Sequence, residues 1–264
     1  MRIRALFLLA ALPFFVLAQD GERHSPFITT PPDVVERMLR LAGTGPSDLV
    51  VDLGSGDGRI VIDAAIKFGA RGLGIELDPA LVEKSRDLVR QANVADRVSI
   101  VHGDVLKADI SQASVVTVYL LPSLLGRLQS RFMEELKPGT RVVSHAFAMT
   151  SWKPDRTETM RIAQRHQGQG DESTLFLWVI PAQARGMWES GAWRVRIYQN
   201  FQEIEVEAWL DGWPVPAGGA RLTGDHIGWE GRDMQFSGRV EGRRIVGDIV
   251  HAGRSSPLIL ERNR

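Results

Sequence analysis

Residues 50–60 read VVDLGSGDGRI. Leu49, Val50 and Val51 form an apolar run into this stretch, and Ile60, Val61 and Ile62 lead out of it. Between them stand Gly54, Gly56 and Gly58 at alternate positions, with Asp52 two residues before the first glycine. A strand, a glycine-rich turn and a helix in that order expose backbone N–H groups at the helix start, and the glycines let a ligand come close. The spacing then discriminates among ligands. A dinucleotide fingerprint needs Gly-x-Gly-x-x-Gly, and counted from Gly54 its last glycine would fall on Arg59. A phosphate loop needs Gly-Lys-Ser/Thr, which is absent here. What stands is Asp-x-Gly-x-Gly-x-Gly. An acid beside that turn suits a ligand with a sulfonium or ammonium group better than a pyrophosphate.

Outward from the loop, helical and strand patterns alternate. Before it, DVVERMLRLAG (33–43) carries Val34, Val35, Met38, Leu39 and Leu41 at helical spacing and stops at Gly43. LVVDL predicts a strand, RIVIDAAIKFG a helix, RGLGIEL a strand, and PALVEKSRDLVRQAN a helix opened by Pro79. RVSIVHG and SVVTVYLL predict strands, PSLLGRLQSRFMEELKPG a helix, and TRVVSHAF, TETMRIAQ and STLFLWVI further strands. Strands without polar alternation, separated by helices, imply a mostly parallel sheet covered on both faces. The expected fold is therefore α/β, with a doubly wound, Rossmann-like, seven-stranded sheet. After Pro181 the texture changes to short alternating runs: WRVRIYQ, EIEVEAWL, ARLTGDHIGW, MQFSGRV, RIVGDIV and PLILER. These six strands predict a small antiparallel all-β meander or barrel over residues 192–264. The first domain then spans 26–181, with 182–191 as a linker. The tryptophans of the second domain (Trp188, Trp193, Trp209, Trp213, Trp229) suit its core and rim, or a surface for sugar or peptide.

The whole chain narrows the function further. Its 264 residues balance 32 Lys+Arg against 32 Asp+Glu, so no electrostatic grip on nucleic acid is expected. No cysteine is present, which excludes disulfides, thiolate zinc sites and thiol nucleophiles. His24, His102, His166, His226 and His251 show no ligand spacing, so no metal is expected. At the start, MRIRALFLLAALPFFVLAQD joins Arg2 and Arg4 to an apolar run from Ala5 to Leu17, with a small residue, Ala18, before Gln19. That pattern predicts a signal peptide over residues 1–18 and an exported protein. The alternative is a membrane anchor through residues 5–18, which would place the protein near a membrane.

Two further acids extend the reading of the loop. GIELDP puts Glu76 at the end of the second strand, where a carboxylate can accept from both ribose hydroxyls. HGDV puts Asp104 after the third strand, placed to accept from an adenine amino group. Either acid alone reads as a solvated strand end. Together with Asp52, on successive strands, they describe an adenosine with a positively charged amino-acid tail, which is S-adenosylmethionine.

Residues 26–155 resemble class I S-adenosylmethionine-dependent methyltransferases. The resemblance is closest to the small lysine methyltransferases that modify the ATP synthase c-subunit and the adenine nucleotide translocase, with their bacterial relatives. It rests on PFITTPPDVVERML, VVDLGSGDGRIVIDAA, GIELDP, VVTVYLLP and TRVVSHAF followed by Trp152. A histone lysine methyltransferase family with an acidic glycine loop like DLGSGDG is similar in the same places. The resemblance implies cofactor roles for Asp52, Gly54, Gly56, Gly58, Glu76 and Asp104. It also implies that Thr30-Pro31 closes over the cofactor, against the plainer reading of a helix-starting turn.

Methyl transfer is an in-line displacement at an already activated sulfonium methyl, so the protein chiefly aligns the nucleophile and excludes water. The fourth strand ends Val118-Tyr119-Leu120-Leu121-Pro122, without the acid or amide found in DNA- and glutamine-modifying enzymes. The lysine-modifying relatives are likewise apolar there, which points to a protein lysine amine as acceptor. Leu120 and Pro122 fall on the substrate side. Tyr119 reads as an aromatic wall or hydroxyl near the methyl, or as core. Ser144 and His145 end the fifth strand, where His145 either orients or deprotonates a nucleophile or is structural. Trp152 belongs either at the mouth of the site or in the core. The competing expectation is a non-catalytic nucleoside-binding or scaffold protein using its β-domain for partners, since no obvious base follows the fourth strand.

Overall fold

The computed structural model describes residues 28–163 and 170–263. The expected signal segment 1–18, His24 and His166 lie outside them. The first half contains α1 (Pro32–Leu41), β1 (Leu49–Leu53), α2 (Arg59–Phe68), β2 (Arg71–Glu76), α3 (Pro79–Gln91), β3 (Val98–His102), β4 (Val115–Val118), α4 (Pro122–Glu135), β5 (Arg141–His145), β6 (Arg156–Arg161) and β7 (Glu172–Val179). Its strands form one seven-stranded sheet in the order β3-β2-β1-β4-β5-β7-β6. The first five are parallel, and β7 runs antiparallel to both β5 and β6. Burial on both faces explains why β1 and β4 are apolar runs. Val50, Val115 and Val143 pack under α1 and α2, while Val51, Val116 and Val142 pack with Leu125, Leu128 and Phe132 of α4.

An ion pair clasps the amino ends of the central strands. Arg141 Nη2 donates to both carboxylate oxygens of Asp48, each at 2.9 Å. Ser114 Oγ donates to the same carboxylate at 2.7 Å and the Gly45 N–H at 2.8 Å. Burial raises the Asp48 pKa, but these donors and the guanidinium more than offset it and hold the acid below its ordinary value. At the opposite, carboxyl edge the chain runs outward from β1 to β2 and β3, then returns to place β4 on the other side of β1. This reversal opens a crevice at the end of β1, where open α/β sheets bind ligands.

The second sheet has nine antiparallel strands ordered β11-β10-β9-β8-β16-β15-β14-β13-β12. They are β8 (Gly186–Ser190), β9 (Trp193–Asn200), β10 (Glu203–Leu210), β11 (Trp213–Val215), β12 (Gly218–Thr223), β13 (His226–Gly231), β14 (Met234–Glu241), β15 (Arg244–His251) and β16 (Arg254–Arg262). The sheet curls into a half-barrel, with β10 and β12 packed together, around Trp188, Ile197, Trp229, Phe236, Ile245 and Leu260. Three expectations need correction here. Residues 182–191, expected as a linker, contain β8, which pairs with both β9 and β16 and buries Trp188 completely. ARLTGDHIGW, expected as one strand, is β12 and β13 joined at Gly224-Asp225, with Gly224 at φ +59°. DGWPVPAGG, expected as a turn, contains β11. β8 and β11 are short, at five and three residues, and the turn between β12 and β13 is only two residues long, so their two alternations read as one. Trp213 on β11 is 76% exposed, whereas Trp188 and Trp229 fill the core. In the first domain β4 ends at Val118, three residues before the predicted Leu121.

Close packing holds the glycine loop against β2. A Cβ on Gly74 would lie 2.7 Å from Ser55 Oγ and 2.7 Å from Ile100 Cδ1. Gly74→Ala should therefore lower the unfolding free energy by about 1–3 kcal/mol, read from the urea midpoint.

Candidate functional site: a cradle for an adenosyl sulfonium

The loop after β1 is fastened to the end of β2. The N–H groups of Gly54 and Ser55 both donate to the Ile75 carbonyl, at 2.9 and 3.0 Å. The Gly56 N–H donates to Glu76 Oε2 at 2.8 Å, while Leu77 and Asp78 N–H donate to Oε1 at 2.9 Å each. A carboxylate has about four acceptor positions, so Glu76 keeps room on Oε2 for a further donor. Gly54, Gly56 and Gly58 have φ of +79°, +54° and +78°, the left-handed region that explains their alternation. Gly58 caps α2 at its N-terminus.

Asp52 lies within β1 and is buried, with Thr117 Oγ1 of β4 donating to its Oδ1 at 2.7 Å. Its pKa is pushed up to about 7 from 3.8. Burial drives the rise; the Thr117 hydrogen bond opposes it, and the carboxylates of Glu76 and Asp57 add to it. Asp57, in the loop, is also pushed up by burial, but Arg59 bonds it through Nε at 2.9 Å and Nη2 at 2.6 Å and holds it below its ordinary value. Asp104 follows β3, half-buried, and accepts the Leu106 N–H at 2.9 Å, so it also caps the turn it sits on. Between Glu76 and Asp104 in sequence, Leu77 is an exposed apolar residue whose carbonyl is 2.9 Å from His102 Nε2.

The N-terminal segment joins the site at Thr30. Its carbonyl accepts from Arg59 Nη1 at 2.9 Å, and its hydroxyl lies 3.2 Å from His145 Nδ1. His145 Nε2 lies 3.1 Å from Ser173 Oγ of β7, and the ring is fully buried. Both ring nitrogens thus engage protein hydroxyls. Tyr119 is half-buried just past β4, its ring centroid 4.2 Å from that of His145 and 6.3 Å from that of Phe147. Ser144 Oγ donates to the Phe147 carbonyl at 2.6 Å. Leu120 is buried over the loop, its Cδ2 3.0 Å from where a Gly54 Cβ would stand. Pro122 is exposed at the start of α4. Of the two readings of Trp152, the structure gives the core: the side chain is 1% exposed and donates its indole N–H to Gln202 Oε1 at 2.6 Å.

Residues 52–156 match the family described as the ANTKMT methyltransferase domain. The chain is 39% identical over 158 residues to a protein-lysine N-methyltransferase of Saccharolobus islandicus, covering 60% of this chain and 94% of that protein. It is 38% identical over 146 residues to the mouse adenine nucleotide translocase lysine N-methyltransferase, covering 53% of this chain and 63% of the mouse enzyme. Among solved structures, a Salinibacter ruber RNA methyltransferase in complex with S-adenosyl-L-homocysteine is 50% identical, with a TM-score of 0.53, covering 59% of this chain and 95% of that one. The chain belongs to this family of S-adenosylmethionine-dependent methyltransferases.

The residues fit the family's cofactor on their own geometry. The loop brings glycines with left-handed backbones beside two buried acids, Asp52 and Glu76. Among the described residues, Asp57 alone of the three loop-side acids is bonded to an arginine. Several residues of the methyltransferase site were not named from sequence. Thr117 could have been found as the polar residue within the apolar strand VVTV, since a buried hydroxyl there needs a partner. Ser173 gave no comparable signal, because its contact with His145 crosses between distant segments, and Phe147 closes TRVVSHAF without a polar group to mark it.

Asp52 also sets a pH dependence. Its folded pKa lies above its unfolded value, so its contribution favours the fold below about pH 4 and is lost as pH rises through about 7, on the order of 4 kcal/mol in all. Asp52→Asn, which mimics the protonated form, should melt several degrees above the parent chain at pH 8, with the gap closing toward pH 4. Thermal unfolding without ligand at both pH values checks this.

Proposed function

We propose that this methyltransferase transfers a methyl group from S-adenosylmethionine to the side-chain amine of a protein lysine. The observation that carries the reading is the aromatic wall of Tyr119 and Phe147 at the carboxyl ends of β4 and β5, beside the acidic cradle. No carboxylate or amide stands in Val118-Tyr119-Leu120-Leu121-Pro122. The relatives described as lysine N-methyltransferases of proteins, of the adenine nucleotide translocase and of the ATP synthase c-subunit support the same acceptor. The chain spans 53% and 63% of the two mouse relatives, so the acceptor protein itself is not carried over from them.

Bound in the cradle, the cofactor supplies a methyl already activated on a sulfonium. Glu76 would hold the ribose through its remaining acceptor position, and Asp104 would accept from the adenine. Asp52, in its ionised form, complements the cationic end. Tyr119 and Phe147 offer aromatic faces that attract an entering ammonium. The apolar residues around them, Val118 and Leu120, favour its neutral, nucleophilic form. His145, tied to Thr30 and Ser173, holds the Tyr119 ring and the N-terminal segment in place.

We also propose that residues 1–18 direct export, on the strength of the basic start and the apolar run; an anchor through residues 5–18 is the alternative. Among the described residues, no helix is long and apolar enough to cross a membrane. Mass spectrometry of the mature N-terminus decides this, with Gln19 first if the segment is cleaved.

Calorimetry with S-adenosylmethionine should show binding that strengthens from pH 6 to pH 8, because a cationic ligand favours ionised Asp52. Glu76→Ala should weaken it by about tenfold or more. Tritiated-methyl transfer into a cell extract should then label protein at lysine. Label confined to RNA would favour the acceptor named for the Salinibacter structure, and absence of label would leave a cofactor binder.

A further inference from the structure

The segment between β5 and β6 leaves the acceptor wall and ends against the second sheet. At its start Ala146 takes φ +67°, the Phe147 N–H returns to the His145 carbonyl at 2.9 Å, and Ser144 Oγ bonds the Phe147 carbonyl. In its middle Met149 is buried, and Ser151 Oγ lies within hydrogen-bond distance of both Gln129 side-chain atoms on α4. At its end Trp152 is held from two sides. Its carbonyl accepts from the Trp178 indole at 2.9 Å. Its own ring stacks on Phe201, in the turn between β9 and β10, with centroids 5.0 Å apart and planes 10° from parallel.

The next residue of that turn completes the attachment. Gln202 accepts the buried Trp152 indole N–H through Oε1 at 2.6 Å and donates through Nε2 to the Lys153 carbonyl at 2.9 Å. Phe201 holds φ +53°, uncommon for a side chain of its size, and packs into the core of the first domain rather than that of its own sheet. Lys153 and Glu203 add an exposed ion pair at 3.3 Å, which contributes little.

We propose that Phe201 and Gln202 are positioning residues for methyl transfer: the second sheet holds the 146–153 segment, and through it Phe147 and the Tyr119 wall, in the geometry the acceptor needs. The half-barrel then belongs to the acceptor side of the enzyme and is not a separate binding module. This rests on the acceptor assignment above. It predicts that loosening the turn affects the acceptor side and leaves the cofactor loop alone, since Gly54, Ser55 and Gly56 bond to β2, Gly58 bonds to Ser55, and Asp57 bonds to Arg59.

The test uses the full chain with Phe201→Ala and Gln202→Ala, and Phe201→Tyr to restore the stack. Amide hydrogen exchange at residues 146–150 should quicken by about tenfold or more in both alanine variants and return toward the parent rate in Phe201→Tyr. Exchange at residues 50–60 should not change, and the calorimetric Kd for S-adenosylhomocysteine should stay within about twofold. Initial tritiated-methyl incorporation into extract protein, at saturating S-adenosylmethionine, should fall by about tenfold in the alanine variants. Unchanged exchange at 146–150, equal acceleration at 50–60, or full incorporation despite a loosened segment would each overturn the proposal. If the parent chain labels no protein, the lysine reading fails by itself, and the exchange pattern still decides whether the turn positions the segment.

Discussion

The end of β2 organises the site. One carbonyl, that of Ile75, takes the N–H groups of both Gly54 and Ser55, and the adjoining carboxylate of Glu76 takes that of Gly56. To bring these donors onto so short a stretch of strand, the chain must turn through the left-handed region at alternate residues, which disfavours every side chain by roughly 1–2 kcal/mol per position. The repeat Gly54, Gly56, Gly58 is the sequence image of that geometry. Gly74 opposite lets Ser55 settle onto the strand. Arg59 then follows at the first turn of α2 and reaches Thr30, so the fastening of the loop also fixes where the N-terminal segment crosses it.

The same arrangement gathers acids faster than it gathers bases. Asp57 is answered by Arg59, but burial and two neighbouring carboxylates leave Asp52 at about 7. A buried acid whose pKa is raised at the crevice of an open sheet, with one hydroxyl donor from Thr117, is the kind of group found at functional sites. A ligand carrying a positive centre next to a hydrogen-bonding sugar relieves it, and a pyrophosphate would worsen it. The charge pattern therefore argues for a sulfonium nucleoside independently of the glycine count, and the family membership agrees with both.

Most of the first domain was legible because its signals are local. Unbroken apolar strands, Pro79 opening a helix, and Gly43 and Gly69 closing others each need only a few neighbouring residues to be read. Glu76 and the loop glycines belong to this group, and the structure puts them together at the carboxyl edge of the sheet. What escaped was settled by contacts between distant segments. Thr117 answers Asp52 across adjacent strands, Ser173 reaches His145 from β7, and Trp152 is buried by a turn 50 residues later. β8 was missed for a related reason: its five residues show one buried tryptophan and little periodicity, and only the strands on either side make it a strand.

The attachment of the half-barrel explains how two domains share one chain without competing for one site. Its contacts fall where the family match ends, at Trp152 and Lys153, and on the amino-end turn before β5, where a Cβ on Gly224 would stand 3.0 Å from the Gly139 Cα. Neither place lies at the carboxyl end of β1, where the cofactor loop departs. The loop's hydrogen bonds all come from within the first domain, so a second sheet attached at these points leaves its geometry intact. The segment from Ala146 to Lys153 is different. It begins at the acceptor wall and ends under Gln202, and it is the continuous length of backbone through which a β-domain that makes no hydrogen bond to the cofactor loop among the described residues can influence where a methyl group goes.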